Sequence, residues 1–170
     1  DSFDSQPVIL VCNVAADDRI NLWQRLYAAA ESGAVVIALS PDAFPEGDRH
    51  VCRRYHREWL YHKEYVALRH PYFDSIPAYG IMDSEYFGRL INGIAFRDGD
   101  EPDEVAACCL GTGMNTSPTG YDGGFNIGRY TIGNGSLVVN SLDIPGQVGL
   151  NPAADMLLLN MLRHHMESRL

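Results

Sequence analysis

The chain has 170 residues, of which 46 % are apolar, and its formal net charge at pH 7 is −9. This length suits one globular domain with a full core, so we treat residues 1–170 as a single domain. The negative charge argues against an electrostatic grip on nucleic acid or on an anionic membrane surface. The longest apolar runs are far shorter than the ~20 residues that a membrane-spanning helix needs.

The first forty residues predict a strand–helix–strand unit. The runs PVILVC (7–12) and AVVIAL (34–39) are short, continuously apolar and rich in β-branched residues, as strands buried on both faces are. Between them, RINLWQRLYAAAES places its apolar residues on one stripe at helical spacing. We expect Asp17 or Asp18 to cap this helix with its side chain and Gly33 to follow its last turn. Short connections of this kind favour a parallel sheet.

The middle of the chain is less regular. Residues 50–70, HVCRRYHREWLYHKEYVALRH, fit a helix, and two prolines then bracket the turn segment PYFDSIP. Asp83 or Ser84 is expected to cap a short helix through EYFGRLI. The acidic stretch 97–104 predicts a solvated loop, with Ca²⁺ binding as the alternative. EVAACCL (104–110) is a third candidate for a buried strand.

The C-terminal third predicts a hairpin and a helix. The segment IGNGS (132–136) lies between two strand-like runs, and we expect Asn134 and Gly135 to take positive φ in a tight turn. In the helix that follows, Asn151 is the expected N-cap and Pro152 the first helical residue. Three side chains of its last turn suit the negative end of the helix dipole: Arg163, His164 and His165.

Known catalytic and binding motifs do not fit the residues. The glycines of 120–142 lack the order of a dinucleotide fingerprint or a phosphate-binding loop, since no helix follows them closely. In ALSPDAF, Ser40 follows a strand as a nucleophile would, but Pro41 and Asp42 replace the small residues of a nucleophile elbow. A possible metal set, His50, Cys52, His56 and His62, does not share one helix face. The four cysteines indicate buried thiols. Because none of these motifs is complete, we expect no catalytic residue, cofactor or metal site.

Four segments together resemble a known domain family. They are RHPYFDSIPAYGIMDSEYFGRLI, EPDEVAACCLGTG, GYDGGFNIGRYTIGNGSLVVNSLDI and NPAADMLLLNMLRH, which cover about the last 100 residues in order. They resemble the C-terminal accessory domain of bacterial glycoside hydrolase family 2 proteins, the β-galactosidase and β-glucuronidase type. Ser75, within HPYFDSIP, stands where this resemblance leads us to expect a glycine.

The resemblance implies a fold and a role. That domain is similar to class I glutamine amidotransferases, which implies an α/β, flavodoxin-like three-layer sandwich with a mainly parallel central sheet and a late β-hairpin. It also implies a non-catalytic piece of a longer, multidomain glycosidase, since such domains lack the Cys-His-Glu machinery of amidotransferases. The start DSFDSQ, without Met or a visible signal peptide, agrees with a piece of a longer protein. The compartment is open, although parents of this type are often exported by bacteria.

Three functional hypotheses remain at this point. The first is a structural domain that packs against the catalytic or sugar-binding modules of the parent glycosidase, or that mediates homo-oligomerisation. The second is a carbohydrate-binding module, with aromatic side chains that stack on sugars: Tyr72, Phe73, Tyr79, Tyr86 and Tyr121. The third is an active hydrolase whose nucleophile is Cys12, Ser40 or Cys52.

Any ligand is expected at the carboxyl ends of the parallel strands, where open α/β sheets bind their ligands. The side chains that the sequence places there define the candidate ligand-binding site: Asn13, Asp17, Ser40, Asp42, Tyr121 and Asp122. In this interpretation Tyr121 and Asp122 belong to a glycine-rich loop that precedes the hairpin.

Overall fold

A computed structural model describes most of the chain. The described residues are 3, 6–45, 47–50, 53–55, 62–78, 80–97, 99–112 and 121–167.

These residues form one eight-stranded sheet with helices on both faces. The strands are β1 (Val8–Val11), β2 (Val35–Ala38), β3 (Arg53–Tyr55), β4 (His62–Ala67), β5 (Ile94–Phe96), β6 (Glu104–Thr112), β7 (Tyr121–Ile132) and β8 (Gly135–Asn140). The helices are α1 (Arg19–Glu31), α2 (Ile144–Gln147) and α3 (Pro152–Glu167). Short 3-10 turns occupy Ala16–Asp18, Pro41–Ala43 and Pro71–Phe73.

The strand–helix–strand prediction for the N-terminal part is confirmed. Strands β1 and β2 pair in parallel, with Val11 opposite Ala38, and α1 connects them. Gly33 follows α1 with a φ of +116°, the left-handed conformation that favours glycine. The capping prediction was wrong in one respect, because Asp18 occupies the N-cap but its side chain makes no capping hydrogen bond.

The prediction of a mainly parallel, flavodoxin-like sheet is wrong. Among the described strands, only β1–β2 and β2–β8 pair in parallel, whereas β3–β5, β4–β6, β5–β7, β6–β7 and β7–β8 pair antiparallel. Parallel neighbours need a long crossover connection, and α1 is the one helical crossover that the described residues provide between consecutive parallel strands. The sheet is therefore mixed and mostly antiparallel.

Two predicted helices in the middle of the chain are also wrong. Of residues 50–70, the described part contains β3 and β4, and the predicted positions Val51 and Trp59 lie outside the described residues. EYFGRLI forms successive turns instead of a helix. Asp83 does cap this segment, since its Oδ1 accepts hydrogen bonds from the backbone N–H groups of Glu85 and Tyr86 at 2.9 and 2.8 Å.

The late hairpin is present, but its glycines act differently from the prediction. Ile132 pairs with Gly135 across a two-residue turn in which Gly133 has a φ of +57°, while Asn134 and Gly135 are not among the described residues with positive φ. A Cβ on Gly135 would lie 2.1 Å from the carbonyl oxygen of Ala34, so this glycine is required for close packing. The prediction of a loop at 120–124 was wrong in its described part, because β7 begins at Tyr121.

The sheet separates two apolar clusters. Trp23 and Leu26 of α1 pack on one face, together with Val36 and Val139. Leu157 and Met161 of α3 pack on the other face, together with Ile37. Alternate residues of β2 thus enter opposite clusters, as expected for a strand covered on both sides.

The expected start of α3 is confirmed. Oδ1 of Asn151 accepts a hydrogen bond from the backbone N–H of Ala153 at 2.9 Å, and Pro152 is the first helical residue. The side chain of Asn151 also donates to the carbonyl oxygen of Tyr86 at 2.9 Å, which ties the helix start to the preceding turns.

Ser75 has a backbone conformation that favours glycine. Its φ is +62°, and it is the one non-glycine residue with positive φ in the described part of the chain. Glycine, which the resemblance noted in the sequence led us to expect here, is the residue that this φ suits. A serine here is strained because its Cβ approaches the backbone.

We expect Ser75→Gly to raise the free energy of unfolding by up to about 1 kcal/mol, because relief of this strain outweighs the added freedom of the unfolded chain. Chemical denaturation measures the change. Ser32→Gly is the matched control, since Ser32 is also exposed but has an ordinary φ of −78°. A gain in the control as large as that in Ser75→Gly would contradict the strain argument.

Candidate functional site

The predicted ligand-binding residues of the first two strands lie at one edge of the sheet. Asn13 and Ser40 each follow the end of a parallel strand by two residues, and those strands are in register. Asp17 and Asp42 are exposed in the short turns that follow. The side chain of Asn140 adds to this edge, because its Nδ2 donates to the carbonyl oxygens of Leu39 and Leu142 at 2.9 and 2.7 Å.

Tyr121 and Asp122 lie elsewhere. They pair with Thr112 and Gly111 of β6, at the beginning of β7. The residue of β7 that faces the end of β8 is Ile127, five positions further along the strand than Asp122, which corresponds to about 16 Å. The six predicted residues therefore fall into two separate groups.

The candidate nucleophiles have ordinary roles where the structure describes them. Oγ of Ser40 accepts a hydrogen bond from the backbone N–H of Asp42 at 3.2 Å and so caps a 3-10 turn. Cys12 is a half-buried free thiol, and Cys52 lies outside the described residues. Burial raises the pKa of Cys108, which disfavours its reactive thiolate.

One open cavity was not predicted. It has a volume of about 740 Å³ and is lined by ten residues from the end of β4 and the segment after it: Ala67, Leu68, Arg69, His70, Pro71, Phe73, Asp74, Ile76, Ala78 and Gly80. Its wall is mostly apolar, with Leu68, Phe73 and Ile76 among the lining side chains. Leu68 is 39 % exposed, whereas Phe73 and Ile76 are buried at its base. We call it the 67–80 cavity.

His70 links this cavity to the sheet through both ring nitrogens. Its Nδ1 accepts a hydrogen bond from the backbone N–H of Tyr72 at 3.2 Å, so the proton of the neutral ring is on Nε2, which donates to Oε1 of Glu104 at 3.1 Å. Nε of Arg129 donates to Oε2 of Glu104 at 2.9 Å. The Arg129 guanidinium holds the pKa of Glu104 below its usual value, and burial lowers the pKa of His70. Both nitrogens of His70 are thus engaged within the protein, which favours a structural role over general-base catalysis.

Helix α3 is fastened to the same segment by two buried side chains. Nδ2 of Asn160 donates to the carbonyl oxygens of Tyr72 and Asp74 at 3.0 and 2.8 Å. The hydroxyl of Tyr72 forms a hydrogen bond with Nε2 of His165 at 2.5 Å. Burial raises the pKa of Tyr72 and lowers that of His165 to about 4, so both groups are neutral near pH 7. The expected interaction of His165 with the helix dipole as a cation is therefore wrong, because the ring is only 4 % exposed.

A second polar cluster surrounds Asp48. The hydroxyl of Tyr27 donates to Oδ2 of Asp48 at 2.7 Å, and the backbone N–H of His50 donates to Oδ1 at 2.9 Å. Burial opposes ionisation of Asp48, but these hydrogen bonds and the His50 ring outweigh it and hold its pKa below the usual value. Burial and the bond to Asp48 raise the pKa of Tyr27. The buried Asp48 is therefore an anion held by neighbouring donors.

Sequence reasoning missed both clusters because their members are far apart in the chain. One local signal was present: His70 precedes Pro71, and a polar side chain before proline at the first position of a turn is a capping arrangement. The partners Glu104, Arg129 and His165 could not be assigned without the strand pairing and the position of α3.

Within the described residues, no group of three or more His, Cys, Asp or Glu side chains has a geometry that could hold a metal ion. Cys52 and His56, two members of the set considered from the sequence, lie outside these residues. No helix in the described ranges is long and apolar enough to cross a membrane.

Comparisons with known proteins give one distant structural similarity to report. No protein-family model matches the chain, and no curated protein matches it. Among solved structures, the chain is similar to the exo-β-1,4-mannosidase Op5Man5 from Opitutaceae bacterium strain TAV5, with a TM-score of 0.44 and 14 % identity over 99 % of this chain. The chain spans 25 % of the length of that mannosidase. The mannosidase is a glycoside hydrolase, but a TM-score this low does not establish a common fold.

The buried His165 makes stability depend on pH. Because its folded pKa is about 4 and the ordinary value is 6.5, the unfolded chain binds a proton that the folded chain excludes between these values. The free energy of unfolding should therefore fall as the pH drops from 6.5 toward 4, with a slope of up to about 1.4 kcal/mol per pH unit from this group. His70, whose pKa is also lowered, acts in the same direction. Chemical denaturation at several pH values measures this slope.

His165→Asn should flatten the pH dependence, whatever its effect on stability at pH 7. His164→Asn, at the next position of α3, removes a half-buried imidazole but leaves the bond between Tyr72 and His165, and should keep the steeper slope. A wild-type slope in His165→Asn would show that another group carries the proton linkage.

Proposed function

We propose that this chain is a non-catalytic accessory domain of a glycoside hydrolase, and that it packs against the catalytic or sugar-binding modules of its parent through the 67–80 cavity. The observation that carries the proposal is the open, mostly apolar wall of this cavity, with the buried side chains of Phe73 and Ile76 at its base. Exposed apolar concavities of this kind are typical of surfaces that bury a partner's side chains. The resemblance of the last 100 residues to such accessory domains supports the same assignment.

The polar groups behind the cavity support a structural role. His70, Glu104 and Tyr72 use their hydrogen-bonding atoms to connect the segment 70–74 with β6, β7 and α3. Groups engaged in this way fix the shape of a surface and do not offer a free base or nucleophile to a substrate. The cavity is thus built as a preformed docking surface, which lowers the entropy cost of association.

Two of the aromatic residues considered for carbohydrate binding are not accessible to a sugar. Tyr72 and Phe73 are buried, at 2 % and 8 % exposure, and cannot stack on a sugar. Tyr86 is exposed, while Tyr79 and the side chain of Tyr121 lie outside what the structure describes. Homo-oligomerisation through the same cavity is the other form of the structural hypothesis, and the active hydrolase remains an untested alternative.

Sedimentation velocity of the chain, alone and mixed with the remaining modules of the parent, tests the docking role. We expect a complex with those modules that Leu68→Glu weakens at least about tenfold, since this change puts a charge into the apolar contact. Ile20→Glu is the control, because Ile20 is an exposed apolar residue of α1, which packs on the opposite face of the sheet.

Absence of any complex with the wild-type chain would contradict the proposal, as would a complex that Leu68→Glu leaves unchanged. Self-association of the chain alone, weakened by Leu68→Glu, would favour homo-oligomerisation over docking within the parent.

A further inference from the structure

A second cavity lies beside the Asp48 cluster. It has a volume of about 180 Å³ and is lined by nine residues: His50, Phe96, Arg97, Gly99, Asp100, Glu101, Pro102, Gly124 and Phe125. We call it the His50 cavity. It shares no lining residue with the 67–80 cavity, so the two sites are independent.

The hydrogen bonds of Tyr27 fix the tautomer of His50. Because the Tyr27 hydroxyl gives its proton to Asp48, its oxygen accepts a hydrogen bond from Nδ1 of His50 at 2.9 Å. In the neutral ring, Nε2 is then an acceptor. This nitrogen lies 3.9 Å from Oδ2 of Asp100, which also lines the cavity. His50 is 6 % exposed and lines the cavity, and its ring is held by the hydrogen bond at Nδ1.

The two walls that carry these acceptors are held together by Tyr130. Its hydroxyl contacts the carbonyl oxygens of His50 and Asp100 at 3.0 and 2.8 Å, and the backbone N–H of Asp100 donates to the carbonyl oxygen of Arg49 at 3.0 Å. Nε of Arg49 also lies 3.3 Å from Oδ2 of Asp100 and compensates its charge. The backbones of His50 and Asp100 are therefore held at a fixed spacing, and the charge of Asp100 is balanced within the protein.

Besides the charged Arg97 and Glu101, the rest of the lining provides an apolar surface. Phe96 is fully buried and Phe125 is half-buried, with ring centroids 5.5 Å apart, and Pro102 lies at the same cavity. An apolar floor with a few convergent polar groups is the usual composition of a small-molecule site.

We infer that the His50 cavity binds one ring of a neutral polyhydroxylated compound, that is, a single sugar residue. Neighbouring hydroxyls of such a ring can donate one hydrogen bond to Nε2 of His50 and one to Oδ2 of Asp100. Its C–H face can lie against Phe125 and Pro102. A volume of about 180 Å³ admits one ring and not an extended chain. This role goes beyond the docking function and does not depend on it.

Titration of the ¹⁵N-labelled chain with methyl glycosides of mannose, galactose and glucose tests the inference by amide shifts. At least one glycoside should shift the amides of Asp100, Glu101 and Phe125. It should also move the Nε2 resonance of His50, which long-range ¹H–¹⁵N spectra identify as the unprotonated nitrogen. Cyclohexanol and cyclohexylammonium serve as comparators that lack a vicinal diol.

Asp100→Asn should raise the dissociation constant about tenfold by weakening one charge-assisted hydrogen bond. Tyr27→Phe removes the hydroxyl that bonds to His50 and Asp48 but keeps the ring that packs against Trp23, so it should weaken binding and shift the His50 tautomer, with thermal melting as the check on folding. Asp74→Asn is the control, since Asp74 is exposed and lines the 67–80 cavity.

If none of the three glycosides shifts these amide resonances, the inference is wrong. Equal shifts with cyclohexylammonium would replace it by a cation site. Sugar binding that Asp74→Asn abolishes and Asp100→Asn leaves intact would place the ligand in the other cavity. The first two results do not bear on docking, which Leu68→Glu tests separately.

Discussion

The segment after β4 keeps its shape because buried hydrogen bonds fasten it to three other elements. Glu104 of β6, itself bound by Arg129 of β7, accepts a hydrogen bond from His70. Asn160 of α3 bonds to the backbone of Tyr72 and Asp74, and His165 of the same helix bonds to the Tyr72 hydroxyl. Removal of one partner would leave a buried polar group unsatisfied, which costs about 1–3 kcal/mol for each group. The 67–80 cavity, the position of α3 and the pH dependence of stability all follow from this set of contacts.

The two cavities differ in which of their polar groups are hydrogen-bonded within the protein. In the segment 70–74, the side chains of His70 and Tyr72 are engaged within the fold, while the exposed Asp74 and a mostly apolar wall line the cavity. At the His50 cavity the arrangement is the reverse, because Tyr27 and Asp48 engage one nitrogen of His50, whose ring lines the cavity, and leave the other as an acceptor. One region is therefore suited to association with a protein surface and the other to a small polar ligand.

Local patterns predicted the parts of the fold that local physics determines. The β1–α1–β2 unit, the left-handed Gly33 and the cap at Asn151 each follow from a few neighbouring residues. The direction of the remaining strands does not, since hairpin and crossover connections are decided by pairing between distant segments. The helix expected over 50–70 failed for this reason, as β4 gains its stability from pairing with β6.

The candidate sites were predictable to a smaller extent. Asn13 and Ser40 lie at one edge of the sheet, as predicted, because each follows the end of a parallel strand. Tyr121 and Asp122 were wrongly expected at the same edge, because β7 extends well beyond the end of β8. The glycine expected at Ser75 is the clearest link between sequence and structure, since the backbone there has a φ of +62°. Contacts such as that between Tyr72 and His165, 93 positions apart, require the folded chain.

Hydrogen–deuterium exchange of the parent protein, compared with that of the isolated chain, tests the docking role most directly. The account predicts that amides between Ala67 and Gly80 exchange more slowly in the parent, while those of α1, on the opposite face of the sheet, exchange at the same rate in both. Equal exchange of the 67–80 segment in the two proteins would contradict it.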